Sequence, residues 1–111
     1  MNTLVGIAGL ALAIATIGSA AAKTQPEAPR PSDQIYAERC AYCHDANGWG
    51  TRVLARRLPA SDAVLLNRAS LPPGYITFVV RHGIGAMPQF TPSEITDAEL
   101  AELSRWLGRG N

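Results

Sequence analysis

Five residues in the first half of the chain have the types and spacing to do chemistry together: Cys40-Ala41-Tyr42-Cys43-His44. C-x-x-C-H is the spacing of a c-type haem attachment site. On a helix, positions 40, 43 and 44 lie one turn apart and share a face. Two thiols there can add to the two vinyl groups of one porphyrin, and the same turn aims an imidazole at the iron. Cysteine makes the permanent thioether, and neutral histidine is a strong nitrogen donor. Three other uses of the pair are a thioredoxin-like dithiol, a structural zinc site and a plain disulfide. The first goes with a βαβ pattern, and no run of strands precedes Cys40. The second needs four ligands, and His82 is the only other histidine. The third leaves His44 without a role.

A later stretch can supply the opposite side of such a site. Gly83-Ile84-Gly85-Ala86-Met87-Pro88-Gln89-Phe90 follows a helical pattern that ends at His82. Glycine backbone approaches a flat ligand closely because it lacks Cβ. Pro88 pushes Met87 away from helical geometry toward an extended one. A methionine held this way can present its sulfur to the sixth position of an iron whose fifth is His44. Thioether sulfur is a soft ligand suited to haem iron, and His/Met ligation raises the reduction potential. A lone methionine would otherwise read as core filler; the upstream motif turns the reading toward ligation. His82 is the rival sixth ligand. At a helix C-terminus an imidazolium is stabilised by the dipole, so a capping role is expected for it.

The elements that must position these groups read as helices. Ser32 is the expected N-cap of a first helix running to about Ala41, with Asp33 in its first turn and Ile35 and Tyr36 facing the core. From Asp45 to about Thr51 the residues are turn formers, expected as a loop crossing one haem edge. Trp49 in that loop either donates its indole N–H to a haem propionate or covers an apolar edge. Arg52, Arg56 and Arg57 form the densest basic cluster. They are a solvated face, a propionate partner suited to the guanidinium fork, or a docking surface for an acidic partner. One arginine on a propionate is expected, with Arg52 and Arg56 as candidates. A short helix is expected from Ser61, as cap, to about Asn67, burying Val64, Leu65 and Leu66. Pro73 then opens a stronger helix to His82, stopped by Gly83. Its apolar residues nearly surround it, which implies burial on more than one face. Last, Thr96-Asp97-Ala98-Glu99 is a capping box, followed by an apolar stripe of Leu100, Leu103, Trp106 and Leu107 to Gly108. The first helix is the natural partner for that stripe.

Residues 4–17 are almost wholly apolar, and the small residues Gly18-Ser19-Ala20-Ala21-Ala22 follow before Lys23. Residues 1–22 therefore read as a secretory signal peptide, although Met1-Asn2-Thr3 carries no basic side chain. An uncleaved anchor is the alternative, since the run approaches the roughly 20 apolar residues of a membrane span. Both place the domain outside the cytoplasm, in the periplasm, membrane-anchored where the segment stays uncleaved. Residues 23–31 form a Pro-rich linker, and residues 32–111 form one domain. So small a domain buries a limited core, and a haem would add a large apolar plate to it. A net charge of +1 argues against nucleic acid as a partner. With two cysteines in the whole chain, both in the motif, no disulfide framework remains.

An early C-x-x-C-H, a late Met-Pro loop and a final amphipathic helix resemble the class I cytochrome c family over residues 32–108. The resemblance implies an all-α fold of three to five short helices around one covalently bound haem c, the first and last helices crossing at Tyr36 and Trp106. It departs at one place. The family commonly has Gly-Pro-x-Leu after the haem motif, whose proline carbonyl accepts a hydrogen bond from the proximal histidine. Here Gly50-Thr51-Arg52-Val53-Leu54 stands without the proline, and a backbone carbonyl of this stretch is expected to orient His44. Residues 71–90 resemble more narrowly the short cytochrome subunits of flavoprotein dehydrogenases such as p-cresol methylhydroxylase. The function implied is a one-electron carrier rather than an enzyme, taking electrons from a flavoprotein or other dehydrogenase and passing them to a respiratory acceptor. A dedicated subunit of a flavoprotein complex is one alternative. A haem enzyme or gas sensor with an open distal site is another, for which no distal His or Arg pair is evident.

Overall fold

Pro31 starts the first helix. In the computed structural model, which describes residues 27–69 and 71–109, helix α1 spans Ser32–Arg39 and Pro31 is its N-cap, with no side-chain cap bond. The Ile35 N–H donates to the Pro31 carbonyl at 3.0 Å, so Ser32 is the first helical residue rather than the expected cap. The expected leader, residues 1–22, lies outside the described residues, as does the beginning of the linker. The end of the linker packs on the domain. Arg30 donates from its backbone N–H and its guanidinium to the Glu99 carboxylate, and also reaches Glu38 and the Glu94 carbonyl.

At Cys40 (φ −116°, ψ −42°) the helix hitches and then resumes as α2, Ala41–His44. The Cys40 carbonyl accepts from the N–H groups of both Cys43 and His44, at 3.1 and 3.0 Å. The motif thus keeps one helical face across the hitch. The turn that follows is shorter than expected. Asp45 accepts from Asn47 and Gly48 with its side chain and carbonyl, which completes the reversal by Gly48. Helix α3 then spans Trp49–Leu54, opened by a bond from the Arg52 N–H to the Gly48 carbonyl. Trp49, Gly50 and Thr51 are therefore helical, not loop.

The expected helix over residues 61–67 is two pieces: α4, Ala60–Ala63, and a 3₁₀ turn, Leu65–Asn67, separated by extended Val64. Pro59, not Ser61, is the N-cap. Ala63 is buried, whereas Val64, Leu65 and Leu66 are only half-buried. Helix α5 spans Pro73–His82 with proline in its first turn and stops at Gly83, as expected. It buries Ile76, Val79 and Val80 and leaves Tyr75 and Phe78 about half exposed. Ile76 and Val80 enter the core, and Tyr75 lines a cavity on another side. Helix α6 spans Asp97–Gly108 and carries both halves of the Thr96/Glu99 capping box.

The core gathers Ile35 and Tyr36 of α1, Ile76 and Val80 of α5, Ile95, and Leu100, Leu103 and Leu107 of α6. Each leucine buried this way contributes on the order of 1.5–3 kcal/mol. The Tyr36 and Trp106 rings meet at 5.7 Å, tilted by 59°, so α1 and α6 join where the sequence places them. Thr77 and Ser104 share a hydrogen bond of 3.0 Å between α5 and α6. With α1 and α2 taken as one interrupted helix, the described residues form five α-helices and no strand. No helix among them is long and apolar enough to cross a membrane.

Candidate functional site

Two walls face each other across a cavity of about 480 Å³, within the roughly 300–1,000 Å³ usual for cofactor sites. Cys40, Cys43 and His44 line one side, and the loop carrying Met87 lines the same cavity. These are the four residues singled out by spacing and by loop geometry, and the fold brings all four together. Gly50, Val53 and Leu54 of α3, Tyr75 of α5 and Phe90 complete an apolar lining.

The first wall is fixed by backbone contact. A Cβ at Gly48 would lie 2.2 Å from the Cys43 carbonyl oxygen, and one at Gly50 would lie 2.8 Å from it. Only glycine lets α3 seat so closely against the motif. Tyr36 donates its hydroxyl to the His44 carbonyl at 3.2 Å, which ties α2 to the core. Burial lowers the His44 pKa, and the positive charge of Arg68 lowers it further. The imidazole is therefore neutral, the form a metal ligand must have. The Cys40 thiol is pushed up to about 11, first by burial and then by Cys43. It is thus a thiol rather than a reactive thiolate. Neither cysteine is bridged, and no cluster of three or more His, Cys, Asp or Glu side chains suited to a metal ion occurs among the described residues. The zinc reading of the motif therefore finds no support.

The second wall is a tight turn. Ile84 and Met87 exchange both backbone hydrogen bonds, at 3.2 and 2.9 Å. Gly85, at φ +56°, takes the left-handed position that such turns require. Gly83 sits at φ +70° and ψ 169°, a region essentially reserved for glycine. A Cβ there would lie 2.6 Å from the Met87 carbonyl oxygen. Beyond Met87 the chain is pinned by Arg81, whose guanidinium donates to the carbonyls of Phe90 and Ile95 and to Asp97. Sequence reasoning missed Arg81. Its signal was a basic residue in the last turn of α5, directly before the methionine loop.

The remaining candidates divide. Trp49 lines the cavity and is about half exposed. Arg56 lines it too, with Arg57 and Arg39. Arg52 does not, and is exposed: on α3 it points away from the face formed by Gly50, Val53 and Leu54. His82 bonds through Nδ1 to the Phe78 carbonyl at 2.8 Å and stacks on the Phe78 ring. It lies outside the cavity lining, which fits a capping role and not that of sixth ligand. The expected backbone acceptor for His44 is not found. Nδ1 of His44 is buried without a hydrogen-bond partner, and so is Oγ1 of Thr51.

Residues 27–107 match the family described as cytochrome c oxidase, cbb3-type, subunit III, a class I cytochrome c domain. The chain belongs to this family. Membership implies one covalently bound haem c and haem-based electron transfer, in a domain of a kind typically exported. The residues present fit the group: paired thiols, a neutral imidazole and a thioether border one apolar cavity. No curated protein and no solved structure matched the chain.

Proposed function

We propose that this chain is a periplasmic one-electron carrier in which Cys40 and Cys43 would hold haem c through thioethers and His44 and Met87 would ligate its iron. The observation that carries this reading is the convergence of these four side chains on one cavity. Haem c bound there supplies a one-electron iron couple. The chain's own residues do the rest. His44 presents a neutral nitrogen because burial keeps it unprotonated. Met87, held by the Ile84 turn and by the Gly83 close approach, presents a thioether, which raises the reduction potential. Val53, Leu54 and Phe90 exclude water from the cavity. Arg56 or Arg57 serves the propionates through a guanidinium fork. Tyr42, between the two cysteines, is 91 % exposed and marks the face where a redox partner approaches. A free carrier would use a small, transient contact there, below about 1,200 Å².

The donor is a flavoprotein or other dehydrogenase and the acceptor a respiratory component. A fixed place in a dehydrogenase complex is the competing arrangement, with the same chemistry and a larger interface. The ferric absorbance spectrum of the matured chain tests the ligand set. An iron–thioether charge-transfer band that disappears in Met87→Ala, with haem still attached, is expected. A high-spin spectrum in the native chain would overturn the reading in favour of an open distal site.

A further inference from the structure

Two buried side-chain polar atoms among the described residues have no hydrogen-bond partner, Nδ1 of His44 and Oγ1 of Thr51. Leaving a buried polar atom unpaired is costly, so a native structure with both invites an account of the two together. Their places in the fold are adjacent. Thr51 is 5 % exposed and sits in the first turn of α3. Around that helix its position falls between those of Gly48 and Gly50, and both glycines abut the Cys43 carbonyl, Gly48 also the His44 amide. The side chain of Thr51 therefore leaves α3 on the face seated against the Cys43–His44 backbone. It is absent from the cavity lining, whereas Gly50, Val53 and Leu54 are part of it. Thr51 lies behind the wall on which His44 borders the cavity, and the two orphaned atoms do not bond each other in this structure.

We propose that Thr51 is the positioning residue for His44, its hydroxyl oxygen accepting the hydrogen bond from the His44 Nδ1–H. A hydroxyl has two lone pairs and a hydrogen that rotates to suit, so it can accept from the imidazole once the ring is set for iron in the haem-loaded chain. The bond fixes the tautomer with Nε2 free for iron and sets the ring plane. It also makes the imidazole a better electron donor, which favours the ferric state. This inference rests on the reading of His44 as an iron ligand.

The test compares the haem-loaded native chain with Thr51→Val, which keeps the shape and removes the hydroxyl, and Thr51→Ser, which keeps the hydroxyl. Two quantities are measured: the reduction potential, and the solvent exchange of the His44 Nδ1–H by NMR. Thr51→Val is expected to shift the iron equilibrium toward the reduced form by up to about tenfold, 59 mV for one electron, and to speed exchange of that proton. Thr51→Ser is expected to stay near the native values. An unchanged potential and unchanged exchange in Thr51→Val overturn the proposal, as do equal shifts in the Val and Ser variants, which would mark a packing effect. If the spectra stay low-spin throughout, such a failure leaves the carrier reading intact. A native chain with no imidazole ligation sinks both.

Discussion

The junction of α1 with α6 carries the haem motif on one side, so its strength should be measurable by a double-mutant cycle on Tyr36 and Trp106. Their rings meet at 5.7 Å with a 59° tilt, and a tilted aromatic pair contributes about 0.5–1.5 kcal/mol beyond the area it buries. Tyr36 also donates to the His44 carbonyl at 3.2 Å, a neutral bond worth about 0.5–1 kcal/mol net. The two contributions separate by choice of variant. Tyr36→Phe keeps the ring and removes only the hydrogen bond, so it should cost about 0.5–1 kcal/mol, a fall in melting temperature of roughly 2–8 °C for a domain of this size. Tyr36→Leu and Trp106→Leu each remove the ring pair. Combined, they should cost less than the sum of the singles by about 1 kcal/mol, because the pair is lost only once. The assay is guanidinium unfolding of the oxidised, haem-loaded chain followed by far-ultraviolet circular dichroism. Additivity to within about 0.3 kcal/mol would mean the rings are not coupled, and the helix junction would have to be explained by aliphatic packing alone.

Gly83→Ala should cost about 1–3 kcal/mol from its backbone conformation, and the clash with the Met87 carbonyl should weaken the ferric iron–sulfur band; a variant with native stability and an intact band would count against the close approach. The Glu99 carboxyl is held well below the usual range, first by the Arg30 side-chain bond and then by the Thr96 amide. A carboxylate with a lowered folded pKa stabilises the fold above its unfolded value of about 4.3, and that stability drains away as pH falls below it. Acid melts should therefore show a steeper loss below about pH 4 in the native chain than in Glu99→Gln; parallel curves would refute this. Met87→Ala should lower the reduction potential while leaving the haem covalently attached, read by spectroelectrochemistry, and an unchanged potential would remove Met87 from the iron.

The site was more legible in the sequence than the scaffold around it. Cys40, Cys43 and His44 stand out by residue type and fixed spacing, Met87 stands out only because they precede it, and the fold brings the four to one cavity. The capping box at Thr96 and Glu99 and the stop at Gly83 were legible for the same reason, being local chemistry. The start of α3 was not. Gly48-Trp49-Gly50-Thr51 has turn composition, and only its seating against Cys43 rewards helix there. Arg30 and Arg81 were hidden because their partners lie at Glu99, Phe90 and Ile95, contacts that no local pattern encodes. Arg52 and Arg56 look alike in sequence. Both are exposed, yet Arg56, past the end of α3, lines the cavity and Arg52, within α3, does not.

The central claim concerns a covalent bond, so mass is its most direct test. The native chain, matured in a cell able to attach haem c, is extracted with acidic acetone, and its intact mass and thiol content are determined. The account predicts the polypeptide plus one haem, with no thiol left to alkylate at Cys40 or Cys43. A mass equal to the polypeptide alone, with both thiols reactive, would contradict it.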